Sequence, residues 1–260
     1  MTILEIQNLA GGYNSLPAIS SMSLSVSAGE WLSIIGANGS GKSTFLKLVC
    51  RILALQAGTI FLDGKEIWSQ PARLVARKLS LLPQQQTIPQ NLTVYQLVSL
   101  GRSPYQSWWQ WELGVTDKAR VEQALEQTQM ERMSDRPVEQ LSGGERQRAF
   151  LALSLAQDAK VLLLDEPTTY LDIRYQLELL ELLKQLNQKH GLTLVTVLHD
   201  INLAARYSDR IALLKQGQLQ SVGTPVQVLT PANLEEVFGV RVVIVETPVG
   251  LQICPLAPNS

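Results

Sequence analysis

The stretch GANGSGKS, Gly36 to Ser43, constrains this chain more than any other. It fits G-x-x-x-x-G-K-[ST] in full, with Thr44 next. The apolar run WLSII precedes it and a segment with helical spacing follows. That setting separates it from a glycine-rich turn that merely contains a lysine. Glycines let a backbone curl so that successive N–H groups point inward, toward an anion. The helix that starts there adds positive potential at the same place. Gly36, Ala37, Asn38, Gly39, Ser40, Gly41, Lys42, Ser43 and Thr44 are therefore candidate phosphate ligands. Lys42 can reach the β- and γ-phosphates of a nucleotide, and the Ser43 hydroxyl can ligate Mg²⁺.

Such a loop needs a buried strand before it and a helix after it, and the rest of the chain supplies more of both. ILEIQNLAGGY alternates apolar and polar residues and is expected to break at Gly11-Gly12. SMSLSVSAGEWLSIIG predicts two strands joined by a turn at Ala28-Gly29. A helix is expected from about Lys42 to Leu53, a hairpin strand at GTIFLDG, and a short strand at LSLLP ending at Pro83. From roughly Gln85 to Gln157 the pattern is helical. VLLLD and LTLVTVLHD are continuous apolar runs of buried-strand type, with an amphipathic helix from about Ile173 to Lys189 between them. Strands alternating with helices predict an α/β core with a mainly parallel sheet. An antiparallel β part precedes it and a helical subdomain at about 85–157 interrupts it, all within one domain over 1–260. After Gly239, VRVVIVETPVGLQICPLAP predicts a small hairpin with its turn near Pro248–Gly250, a β extension at about 240–260.

Composition excludes several classes. The 260 residues carry a net charge of -1, which gives no basic footprint for nucleic acid. No apolar run is long enough for a membrane span. MTILEIQNLAGGY has no basic region followed by an apolar stretch, so no secretory signal is expected. The two cysteines lie far apart and are expected to stay reduced. Only two histidines occur, too few for a histidine-rich metal site.

VLLLDEP, Val161 to Pro167, narrows the chemistry. Asp165 ends a buried strand, where a carboxylate can hold Mg²⁺ directly or through water. Glu166 follows it and can orient and polarise an attacking water. No Asn-Lys-x-Asp guanine reader occurs, which argues against a GTPase.

LSGGERQRAF, Leu141 to Phe150, lies upstream of VLLLDEP. A serine N-cap with two glycines would explain SGG alone; the same turn at a helix start can also hold phosphate. With the two other motifs in this order, the chain resembles the nucleotide-binding subunits of ABC transporters along nearly its whole length. The resemblance implies a phosphoryl-binding signature at Ser142, Gly143 and Gly144. It implies an adenine-stacking aromatic at Tyr13, for which a place in the core is the alternative. It implies a Q-loop glutamine at Gln84, with Gln85 the alternative, contacting the Mg²⁺ and water site. Leu171-Asp172 matches the D-loop, and His199 the switch histidine that donates to the γ-phosphate. His190, in KHG at a helix end, reads as structural. Two positions depart from the pattern: Glu145 replaces the commonest Gln of the signature, and Tyr170 is bulky where many members have small residues.

The resemblance further implies two copies paired head to tail around two ATP, bound peripherally at the cytoplasmic face of a membrane. Transmembrane permease subunits would be the direct partners, an extracytoplasmic binding protein an indirect one, and nucleic acid none. LTVYQLVSLGRSPYQSWW is similar to the matching segment of importers for ferric siderophores, ferric citrate, haem and vitamin B12. The ferric citrate and ferric siderophore branch is the most similar; haem or B12 import, or a non-transport ABC ATPase, is the alternative. Trp108, Trp109 and Trp111 cannot all share one face of a helix or strand. At least one is expected inside and at least one near the permease.

Overall fold

The computed structural model of the chain describes residues 1–13, 16–87, 90–107 and 112–258. They form two compact units, one of Met1–Ser69 with Asn187–Ser260 and one of Gln70–Leu186.

The first unit holds an antiparallel sheet in the order Leu16–Ser27, Thr2–Tyr13, Ala57–Leu62, Lys65–Glu66. Alternation in Thr2–Tyr13 buries Leu4 and Ile6, and Leu9 is buried beyond an irregularity where Asn8 takes left-handed backbone (φ 49). The expected break at Gly11-Gly12 does not occur. The strand continues to Tyr13, with Gly11 opposite Ile19 and Gly12 opposite Pro17. A Cβ on Gly11 would lie 2.6 Å from Leu48 Cδ2 on the helix Lys42–Val49. The glycine serves close approach of strand to helix, and does not end the strand.

The two strands expected around Ala28-Gly29 form, joined by a turn there, and each enters a different sheet. Leu16–Ser27 stays in the antiparallel sheet, while Trp31–Gly36 runs parallel to both Thr193–Val197 and Arg210–Lys215. Gln218–Gly223 adds an antiparallel strand beside Arg210–Lys215. Every residue of Trp31–Gly36 is buried, as expected for a parallel strand covered on both faces. The helix after the glycine loop is shorter than expected and ends at Val49. Arg51 takes left-handed backbone (φ 61), and the Ile52 and Leu53 N–H groups turn back to the Lys47 carbonyl. The C-terminal hairpin pairs Val240–Thr247 with Gly250–Pro258, Thr247 opposite Gly250.

The second unit holds the parallel pair Leu79–Leu82 and Val161–Asp165. Between these strands the described residues are helices and loops, apart from a single bridge between Thr93 and Pro137. Helices Val94–Ser99, Val115–Gln127 and Gly143–Ala156 share a core that includes Val94, Val98, Val121, Leu125 and Ala149.

GRSPY lies in a short 3₁₀ segment, Leu100–Tyr105, packed on the end of the helix Gly143–Ala156. A Cβ on Gly101 would sit 2.3 Å from the Leu153 carbonyl oxygen, so only glycine fits without displacing that helix. Arg102 is 3% exposed. Its Nε donates to Asp117 Oδ1 at 2.8 Å and its Nη1 to the Ala156 carbonyl at 2.7 Å. A guanidinium at a helix C-terminus also meets the negative end of the dipole. Tyr105 stacks beneath Arg102, 3.8 Å from its guanidinium carbon to the ring centre. The Pro104 carbonyl accepts from Arg73 Nε at 2.7 Å and Arg77 Nε at 2.8 Å. Trp108, Trp109 and Trp111, the residues on which the docking expectation rests, lie outside the described residues. No helix among the described residues is long and apolar enough to cross a membrane.

Candidate functional site

In the first unit, the loop between Trp31–Gly36 and Lys42–Val49 carries the phosphate-ligand candidates. Gly41 sits at the helix N-cap with φ 98, and no side chain caps that helix. A Cβ there would lie 2.7 Å from the Ala18 carbonyl oxygen. The helix thus begins with amide groups that side chains do not satisfy, the arrangement that attracts an anion. Lys42 is 5% exposed, and its Nζ donates to the Gly36 carbonyl at 2.8 Å and the Ala37 carbonyl at 3.0 Å. The Ser40 hydroxyl is buried and makes no hydrogen bond. A buried hydroxyl without a partner beside an ammonium and an uncapped helix start fits a phosphate ligand.

Tyr13 ends its strand 48% exposed, so it is not in the core. Lys47 Nζ donates to its hydroxyl at 3.1 Å. His199 is exposed between the buried strand Thr193–Val197 and the helix Ile201–Tyr207.

In the second unit, Asp165 is the last residue of Val161–Asp165 and 4% exposed. Glu166 follows in left-handed backbone, φ 52. A non-glycine residue there stores strain of about 1–3 kcal/mol, which surrounding contacts must hold. Glu166 Oε2 accepts from Gln84 Nε2 and from Thr169 Oγ1, the latter at 3.2 Å. Of the neighbouring glutamines, Gln84 is the one bonded to Glu166, while Gln86 Nε2 donates to Gln147 Oε1 at 2.9 Å. This contact between Gln84 and Glu166 was not legible in the sequence, because 82 positions separate the two.

Among the described residues, no group of three or more His, Cys, Asp or Glu side chains could hold a metal. Within the second unit, the oxygens of Asp165 and Gln84 nonetheless suit Mg²⁺. That ion is commonly held by one or two carboxylates, with waters and phosphate oxygens completing its shell.

Ser142 is the N-cap of Gly143–Ala156, in a capping box with Glu145. The Glu145 N–H donates to Ser142 Oγ at 3.4 Å, and the Ser142 N–H to Glu145 Oε2 at 2.8 Å. The cap and an anion site are compatible, since a Cβ at Gly143 would meet nothing within 4 Å. The departure at Glu145 is explained by the same geometry: the third helical position of a capping box takes Glu or Gln. The Ser142 backbone N–H and then its hydroxyl hold the Glu145 carboxyl below its ordinary range. A carboxyl lowered on folding contributes stability above the ordinary range, lost as pH falls through the folded value. We therefore expect Glu145→Gln to match wild type at neutral pH and to lose less stability between about pH 6 and about pH 3. Urea denaturation at the two pH values checks this; an equal loss in both proteins rules it out.

Asp172 caps the helix Ile173–His190 by accepting the Tyr175 N–H at 3.0 Å. Tyr170 is 92% exposed, with left-handed backbone of φ 66.

Comparison with known proteins fits this geometry. Residues 19–169 match the ABC transporter family, a span that includes the glycine loop, the signature, Asp165 and Glu166. The iron(3+)-hydroxamate import ATP-binding protein FhuC of Bacillus subtilis (strain 168) is 42% identical over 248 residues, covering 95% of this chain and 92% of its own. An inward-facing ABC transporter described as of metal-chelate type superposes with a TM-score of 0.85 at 26% identity, covering 99% of this chain and 98% of its own. A bacterial ABC transporter cassette solved as a dimer gives a TM-score of 0.76 at 28% identity, over 86% of this chain and 99% of its own. With its phosphate-type loop, its strand-end carboxylates and these relatives, the chain belongs to the ABC transporter family, among its ATP-binding proteins.

Proposed function

We propose that this chain hydrolyses ATP to power uptake of ferric chelates through a separate membrane permease. The observation that carries the ATPase reading is the Asp165–Glu166 strand end with Gln84 bonded to Glu166, alongside the uncapped loop at Lys42. Gly36–Thr44 hold the phosphates, Tyr13 stacks on adenine, and Ser43, Gln84 and Asp165 hold Mg²⁺. That ion, when bound, neutralises charge on the phosphates. Glu166 takes the proton of the attacking water, and Gln84 keeps its carboxylate aimed. His199 donates to the γ-phosphate.

ABC cassettes work as dimers, and the solved dimeric cassette is a structural relative. In the reading proposed here, two copies pair head to tail. Ser142, Gly143, Gly144 and Asp172 of one then reach the nucleotide of the other. The chain is read as one domain with a helical insertion, peripheral at the cytoplasmic face, its permease in turn served by an extracytoplasmic binding protein.

The ferric cargo rests on likeness to an iron(3+)-hydroxamate import protein and to a transporter of metal-chelate type. The cargo is tested by iron uptake in a strain lacking this chain, supplied with ferric citrate and ferric hydroxamates in turn. Loss of uptake for at least one chelate, restored by the gene, is expected. Normal uptake of every ferric chelate discards the assignment.

A further inference from the structure

The C-terminal hairpin is tied to the helix that follows His199. Asp200 starts that helix, accepting the Asn202 N–H at 2.8 Å and the Leu203 N–H at 3.0 Å with one carboxylate oxygen. Asn202 then reaches across to the hairpin strand Gly250–Pro258. Its Oδ1 accepts the Ile253 N–H at 2.7 Å, and its Nδ2 donates to the Ile253 carbonyl at the longer distance of 3.4 Å. A side-chain amide thus stands where a neighbouring strand would stand, satisfying both backbone groups of one residue. Ile253 is 4% exposed, so the tether lies over a packed side chain. The helix Ile201–Tyr207 has only seven residues, so the Asp200 cap and the Asn202 tether both bear on where it starts. In the chain, a single residue, Asp200, separates His199 from that start.

We propose that Asn202 is a positioning residue for ATP hydrolysis, and that the C-terminal hairpin acts through it to fix the place of His199. The role rests on the reading of His199 given above. Asn202 touches no reacting group. It sets where the backbone carrying His199 leaves the buried strand, and the hairpin supplies the fixed backbone against which it is set. Displacing a polarising group by as little as 1 Å is enough for large losses of rate.

Two substitutions in the full chain separate this role from packing. Asn202→Leu keeps the volume and removes both hydrogen bonds. Asn202→Asp keeps an acceptor for the Ile253 N–H and loses the weaker, longer bond. The expected result is a kcat about tenfold lower for Asn202→Leu, with the KM for ATP unchanged, and a kcat within about threefold of wild type for Asn202→Asp. Rates are measured below the melting point of each variant, located by circular dichroism, so that unfolding does not contribute. Wild-type kcat in Asn202→Leu overturns the proposal, as does an equal loss in the two variants, which marks a packing role. His199→Ala, measured in parallel, tests the underlying reading. If it turns over ATP at the wild-type rate, His199 is not a donor and the proposal falls with it. If it is inactive while Asn202→Leu turns over ATP at the wild-type rate, only the proposal falls.

Discussion

Glu166→Gln is expected to lower ATP turnover at least a hundredfold while leaving ATP affinity unchanged. A general base contributes about 10²–10⁴ in rate, and a hundredfold loss is close to 3 kcal/mol of barrier. The substitution is also gentle on the fold. Glutamine keeps an oxygen that can accept from Gln84 Nε2 and Thr169 Oγ1, as Glu166 Oε2 does. The backbone at φ 52 costs the two side chains the same. What disappears is the negative charge and with it the capacity to take a proton from water. Initial rates of phosphate release, with ATP binding followed by calorimetry, measure both arms. Turnover at the wild-type rate removes Glu166 from the role of base.

Lys42→Ala should produce the opposite pattern, with binding lost first. The ammonium is nearly buried and already bonded to the Gly36 and Ala37 carbonyls, so it is held at the loop whether or not an anion is near. Charge-assisted hydrogen bonds are worth about 1.5–3 kcal/mol each, so ATP affinity should fall by about 10- to 100-fold. The same change removes two bonds that brace the loop, which adds to the loss. Unchanged affinity by calorimetry would count against phosphate binding at Gly36–Thr44. Together the two variants divide holding the nucleotide from cleaving it.

The elements whose signals are local were legible in the sequence. GANGSGKS could be placed because its neighbours, an apolar strand and a helix, are adjacent in the chain. VLLLD read as a buried strand because burial on both faces leaves a continuous apolar run. The signals that failed depended on distant partners. Gly11-Gly12 looked like punctuation, yet Leu48 on another element decides what those glycines are for. Leu16–Ser27 and Trp31–Gly36 were legible as two strands joined by a turn, while the different sheets that hold their partners were not. The choice of Gln84 among neighbouring glutamines, and the tie of Asn202 to Ile253, likewise rest on contacts that no periodicity encodes.

In GRSPY the structure turns the arginine inward. The contact of Gly101 and Arg102 with the Ala156 end of the helix Gly143–Ala156 makes that end a pivot. The helix has 14 residues and so is about 21 Å long. Rotating it by about five degrees about Ala156 carries Ser142 through about 2 Å. The capping box of Ser142 and Glu145 travels with the helix, while a group outside the helix that met the signature turn would lose its hydrogen-bond distance over such a swing. The short 3₁₀ segment thus sits at the stiff end of a lever whose free end is SGG.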